Sequence, residues 1–216
     1  MQPKQTTVLA VALATLVVGV ALALSHYSLG PAGLGLPTRP ELILELERKG
    51  VELLEEGHAE EAIIEFGKAL GYAKQSNRSD TVARMIRRLA DAYQSQGQLT
   101  MAEVQVKKAV AVSAVGDDRP GLLAAYRHLA SVYMQQEDPV RAEDALRRAL
   151  AVAEQQGDSH AMAESCIALA EVLELMGRDP EAGELYRRAA TLHDSAGDPE
   201  AARQTRARLD RLGADT

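Results

Sequence analysis

The sequence predicts an all-α fold: a solenoid of four helix pairs with a C-terminal capping helix, preceded by a single transmembrane helix. Two features predict it. Small residues return at a fixed interval of 40, with Gly50, Ala90, Ala130 and Ala170 at one position and Ala62, Ala102, Ala142 and Ala182 at a second. A third position reads Ala69, Ala109, Ala149 and Ala189, and the bulky position before it holds Phe66, Val106, Leu146 and Tyr186. Self-similarity at a period of roughly 20–50 residues marks stacked repeats, each of which buries its apolar face only against its neighbours. The other feature is residues 6–24, a run of 19 without a charged side chain.

In chain order, residues 1–5 form a short N-terminus carrying Lys4. As a helix the run 6–24 spans roughly 28 Å, close to the ~30 Å hydrocarbon core of a bilayer. It is longer than the roughly 7–15 apolar residues of a signal peptide, so it reads as an anchor. Ala21-Leu22-Ala23 is also an acceptable cleavage site, and cleavage would release a secreted soluble adaptor instead. There is no lipobox cysteine. Lys4 and the terminal amine precede the segment, and no Lys or Arg follows until Arg39. The positive-inside rule then keeps the N-terminus cytoplasmic and places the repeats outside the cytoplasm. Arg outnumbers Lys by 18 to 6, which points to a GC-rich bacterial genome and so to an inner membrane, with the repeats facing the periplasm or cell exterior. Residues 25–40 hold Gly30, Pro31, Gly33, Gly35, Pro37 and Pro40, a composition that disfavours helix and strand and reads as a tether.

Residues 41–198 carry the repeats. Apolar residues recur at helical spacing, as in Leu122, Tyr126, Leu129, Ala130 and Tyr133. The expected pairs are 41–56/59–75, 80–96/100–115, 119–136/139–156 and 159–176/180–196, followed by a single helix at 199–212. Asp138-Pro139, Asp179-Pro180 and Asp198-Pro199 each place a capping acceptor before a proline suited to the first helical position. Thr100 and Glu103 have the spacing of a capping box. Gly57, Gly97 and Gly177 are placed to end the first helix of three pairs, and Gly116, Gly157 and Gly197 the second.

Composition excludes several functions. A net charge of −7 argues against a sequence-independent nucleic-acid binder. Aromatics make up 3% of the chain and Trp is absent, so the core is built from Ala, Leu, Val and Ile. The single cysteine, Cys166, excludes an internal disulfide and falls on the inward face of a helix as a small core residue. The five histidines are scattered. His160 and Glu164 lie one turn apart, but two ligands without a third make no metal site. No glycine-rich nucleotide loop occurs in the repeats. No cofactor and no enzymatic activity are expected.

Each pair resembles a tetratricopeptide repeat. The second supplies Leu89-Ala90, Tyr93, Gly97, Ala102, Val106 and Ala109, and the fourth Leu169-Ala170, Leu173, Gly177, Ala182, Tyr186 and Ala189. Departures are a period of 40 instead of the family's usual 34, as in a longer-repeat variant, and Leu46, Ile86, Tyr126 and Cys166 where Trp often opens the motif. Lys49 replaces the large apolar residue of the first pair, and Glu137 the turn glycine of the third. The resemblance implies a right-handed solenoid that scaffolds protein–protein contacts. The last segment, 199–216, aligns with a fifth first-helix: Leu209 and Leu212 cover the final pair, while Arg203, Arg206, Arg208 and Arg211 keep its outer face soluble.

The family's concave groove is lined by the first helix of each pair. Carried onto this chain, the groove holds Arg84, Arg87, Arg88 and Asp91, then Arg127, His128 and Ser131, then Glu164 and Glu171. An acidic protein thus has a basic groove centre flanked by an acidic fourth repeat. Arg forks suit carboxylates, so Arg84, Arg87 and Arg127 are expected to engage an acidic segment or the C-terminus of a partner protein or peptide. The alternative is that these arginines form a solvated face paired with Asp91 and nearby glutamates. The family's carboxylate-clamp asparagines are absent, with Asp91 and Ser131 at one such position. Self-association through an open solenoid end is a further alternative, against which the capping helix argues.

Overall fold

The computed structural model describes residues 38–214. The anchor expected at 6–24 and residues 25–37 of the linker expected at 25–40 lie outside the described residues, while Arg39 and Pro40 open a helix; among the described residues no helix is long and apolar enough to cross a membrane. Nine helices are found there: α1 (Arg39–Glu55), α2 (Ala59–Gln75), α3 (Ser79–Ser95), α4 (Leu99–Val115), α5 (Arg119–Gln135), α6 (Pro139–Gln156), α7 (Ser159–Leu175), α8 (Asp179–Ser195) and α9 (Pro199–Ala214). No strand occurs among the described residues. The chain divides between Leu42 and Ile43, so the first turn of α1 stands with the N-terminal unit and Ile43 onward forms the solenoid. That first turn is built locally: the Thr38 amide donates to Glu41 Oε2 (2.7 Å), and the Leu42 amide to the Thr38 carbonyl (2.9 Å). Glu41 reaching back to the residue three before it is the return half of a capping box.

A left-handed residue interrupts the helices every 20 positions. Gly57, Gly97, Gly157, Gly177 and Gly197 have φ between 67° and 83°, while Asn77, Asp117 and Glu137 fill the same series at 57°, 49° and 58°. A single αL residue ends a helix by turning the chain back, so the structural unit is one helix plus its turn. Gly116 departs from expectation. Its φ is −82°, and Asp117 makes the turn. A Cβ on Gly116 would lie 2.1 Å from Ser79 Oγ, so close approach to the start of α3 explains this glycine.

The caps are aspartates at the starts of α5, α6, α7 and α9. Asp118, Asp138, Asp158 and Asp198 each accept from the amide three residues on, at 3.0 Å. Two expected caps are not formed. Helix α4 opens at Leu99 with no side-chain cap, which places Thr100 inside it. Helix α8 already includes Asp179, whose carboxylate in the first turn opposes the helix dipole's positive end instead.

The recurring alanines hold the helices together. Ala62, Ala102, Ala142 and Ala182 are fully buried, as are Ala69, Ala109, Ala149 and Ala189. With no atoms beyond Cβ they let helix axes approach, and Phe66, Val106, Leu146 and Tyr186, all buried, fill the space alongside. Cys166 is buried among Leu150, Ala163 and Ala189, and burial pushes its thiol pKa up, as suits a core residue. Lys49 forms an ion pair with Glu65 of α2 (3.0 Å), so this first-pair change is matched by a partner across the hairpin.

Candidate functional site

In a 40-residue repeat, equivalent residues on successive first helices are i and i+40. Contacting residues on successive first helices lie about one turn short of that, near i+37. The structure shows this spacing repeatedly. Arg84 meets Glu47 (3.5 Å), Ser131 accepts from Gln94 (3.1 Å), and Arg127 pairs with Glu164 (2.6 Å). His128 meets Asp91 (3.5 Å), and Glu171 pairs with Arg208 of α9.

These contacts decide how the basic groove centre is organised. Arg88 bonds to Glu47 (3.2 Å) and approaches Asp91 (3.6 Å), so one nearly buried glutamate of α1 serves two arginines of α3. Glu164 takes both Arg127 and His160, the latter at 3.3 Å. Among the described residues no group of three or more His, Cys, Asp or Glu is arranged to hold a metal. His128 is largely buried, its Nε2 2.9 Å from Gln94 Oε1; burial lowers its pKa, with Asp91 opposing and Arg87 adding to the shift. Arg84, Arg88, Arg127, His128, Glu164 and Glu171 are thus mutually paired or held by neighbouring first helices.

Arg87 stands apart. Its Nε is buried without an acceptor among the described residues, and no ion pair is formed with it there. Burial pulls its pKa below the ordinary arginine value, which nearby Asp91 and Asp118 only partly offset. The i+37 rule explains this, because the matching position on α5 is Ala124 and not an acid. Arg127, one repeat later, finds Glu164 at that place.

One further gap lies between α5 and α7. At the i+37 partner of Ser131 stands Ala168, and a hollow of about 260 Å³ opens there, lined by Ala130, Ser131, Met134, Ala168, Val172 and Leu175 with Arg127 and Glu171 beside them. Leu175 on its wall is 71% exposed. Sequence reasoning placed Ser131, Glu164 and Glu171 on this face but missed the hollow, whose signal is small residues at 131 and 168. It also assigned Arg208 to the outer face of the cap, whereas the structure pairs it inward with Glu171.

The family model described as Tetratricopeptide repeat matches this chain twice, over residues 81–155 and 121–195, and so covers more than half of it. The chain belongs to the tetratricopeptide repeat family. Successive matches begin one 40-residue step apart, in register with the helix pairs. No curated protein matches by sequence. Among solved structures, BtubC (BKLC) from P. vanneervenii superposes with a TM-score of 0.64 at 18% identity, covering 94% of this chain and 89% of that one. A putative kinesin light chain with tetratricopeptide-like repeats from Podospora anserina gives 0.58 at 19%, covering 80% and 95%. The apo form of RapI gives 0.71 at 12%, covering 83% of this chain and 50% of that one. At these identities the tetratricopeptide fold is what is shared.

Proposed function

We propose that this chain is a membrane-tethered tetratricopeptide scaffold that binds a partner protein or peptide segment along its first-helix face and has no chemistry of its own. The observation that carries the reading is the apolar hollow between α5 and α7. Monomeric proteins bury apolar side chains of this size where they can, and an exposed apolar recess rimmed by charges is what a partner's anchoring side chain fills. The surrounding ion pairs supply a rim that steers a partner and sets its register more than it adds affinity. The tether is the uncharged run 6–24, joined to the repeats by the Gly/Pro segment, with the repeats on the extracytoplasmic side.

The test is photo-crosslinking in native membranes with a crosslinker introduced at Met134, read by mass spectrometry. A defined protein adduct is expected, absent from the Leu175→Glu variant, which puts a charge on an already exposed wall of the hollow without touching the core. Adducts that persist in that variant, or none at all, would overturn the reading. Carbonate extraction of the same membranes should leave the chain in the pellet, and a reporter fused after Thr216 reads the side.

A further inference from the structure

The second helices α2, α4, α6 and α8 each carry an outward stripe at positions i, i+3, i+7, i+10 and i+14, which lie on one side of a helix. Every residue of these stripes is exposed. In α4 the stripe reads Met101, Val104, Lys108, Ala111 and Val115, with Val115 91% exposed. Four of the five are apolar and none is acidic, whereas the same positions hold Glu61 in α2, Asp144 in α6, and Glu181 and Glu184 in α8. The one acid of α4, Glu103, is turned toward α5 and α6, where it accepts from Tyr133 and Arg141. The middle position of the stripe is a cation in all four helices. Lys68 pairs with Glu65 (3.1 Å), Arg148 with Asp144 (2.8 Å) and Arg188 with Glu154 (2.5 Å). Lys108 has no ion pair among the described residues. The three positions from which those acids reach are held in its repeat by Gln105, Val104 and Lys74. An exposed lysine carries no penalty on its own, so what this sets is the character of the stripe: apolar and positive, with nothing negative. Scattered exposed apolar residues are ordinary, but a contiguous run of them marks an interaction site.

We propose that the α4 stripe is a second docking surface, separate from the first-helix groove, and that it takes an acidic amphipathic helix of a partner protein. The proposal goes beyond the groove reading and does not depend on it. The occupant is a helix because α4 bonds its own backbone internally and the one polar group on the stripe is the Lys108 ammonium. An extended segment laid there would leave its amides and carbonyls unpaired, whereas a helix arrives with its own already bonded. Met101 to Val115 spans about 21 Å at 1.5 Å per residue, so a partner helix of about four turns covers it. The occupant is acidic because only it can supply the carboxylate that the other three repeats set beside this cation. A second copy of the chain does not meet that need: Lys108 is the centre of the stripe, so pairing α4 with itself in either direction sets Lys108 against Lys108. A lipid surface does not fit either, since interfacial helices bury Trp, Phe or Leu and the stripe has none of them.

The experiment is selection of a displayed library of helical peptides, randomised along one face, on the full chain held in mild detergent micelles. Expected is enrichment of aliphatic residues at i, i+3, i+4 and i+7, edged by Asp or Glu. An enriched peptide, synthesised, should bind Val104→Asp and Val115→Glu about tenfold more weakly each. It should bind Lys108→Glu several-fold more weakly, and its affinity for the unaltered chain should fall as salt is raised. Val104→Asp installs the residue that α6 carries at the equivalent place beside Arg148, and Val115 lies outside the core, so both variants should keep the melting curve of the unaltered chain. Leu175→Glu, in the first-helix hollow, should leave this binding unchanged. Peptides lost on Leu175→Glu but not on the α4 variants overturn this inference and leave the groove reading standing. So do enriched peptides that carry no acids, or that ignore all three α4 substitutions. Two further readings test the other occupants. A dimer in micelles that Val115→Glu makes monomeric, by light scattering, would put a second copy on the stripe and overturn the proposal. Slower modification of Lys108 by an amine reagent in nanodiscs of phosphatidylglycerol than in those of phosphatidylcholine would put lipid there, and would overturn it too.

Discussion

Glu137 holds a backbone conformation that glycine holds at five of the eight equivalent turns, with φ at 58°. For an L-residue the left-handed region costs roughly 1–2 kcal/mol, from Cβ against the following carbonyl. Glycine avoids that clash but loses more freedom on folding, by roughly 0.5–1 kcal/mol. The clash is the larger effect, so Glu137→Gly should stabilise the chain by about 0.5–1 kcal/mol in denaturant titration. Gly177→Glu, at the same turn one repeat later, should destabilise it by a similar amount. A second residue-scale effect concerns acid. Hydrogen bonds from Lys49 and then Lys68 hold the Glu65 carboxyl below the usual carboxylate range. Its pKa is lower folded than unfolded, so its contribution is complete above the unfolded value of about 4.3 and is lost as pH falls through the folded value. Glu65→Gln should therefore flatten the acid limb of the stability curve below about pH 4.3. An unchanged slope would show that the two lysines do not act on it.

At the scale of elements, packing distance outranks helix propensity. Gly50 sits in the interior of α1, where Ala is favoured over Gly by about 0.8–1.0 kcal/mol. A Cβ there would lie 2.4 Å from Phe66 Cε1, and the Phe66 ring is fully buried with no room to withdraw. Overpacking of a filled core costs typically 1–3 kcal/mol, so Gly50→Ala should lower stability by about 1 kcal/mol despite the better helix former. Joint Gly50→Ala and Phe66→Val, which installs the residue types of the second pair, should recover part of the loss. This coupling explains what could be read in advance. Small and bulky positions repeat because each hairpin solves the same contact, so Ala102 with Val106 and Ala182 with Tyr186 were legible from spacing alone. The turns were less so. Gly116 looked like a turn glycine and is instead a close-contact glycine against Ser79, a constraint from another helix that no local pattern records. The groove was legible as a set of residues but not as pairs. Glu47, Ala124, Ala168 and Arg208 became informative only once the offset between neighbouring first helices fixed which residues meet.

For the solenoid as a whole, stability is the sum of helix-pair terms and of interfaces between neighbours. The largest continuous core runs from Ile86 to Tyr186, through all of the second, third and fourth pairs. The first pair contributes through smaller clusters around Ile43 and Phe66, and α9 covers the other end mainly through Ala202 and Thr205, with Leu209 and Leu212 lying over Gly183. Interior helices have a packed neighbour on both sides and terminal ones on a single side. Opening of α1 or α9 breaks one interface, whereas opening of α5 breaks two and exposes Leu129 and Tyr133. Native-state hydrogen exchange should therefore show graded protection. The slowest amides should lie in α4, α5 and α6, the fastest in α1 and α9, with α7 and α8 between. Leu209→Ala with Leu212→Ala should raise exchange in α8 and α9 while leaving α4 unchanged, because coupling passes only between neighbours. Uniform acceleration across all helices would instead mean a single cooperative unit, in which the contacts of Leu209 and Leu212 at one end support α4 as much as the helix they touch.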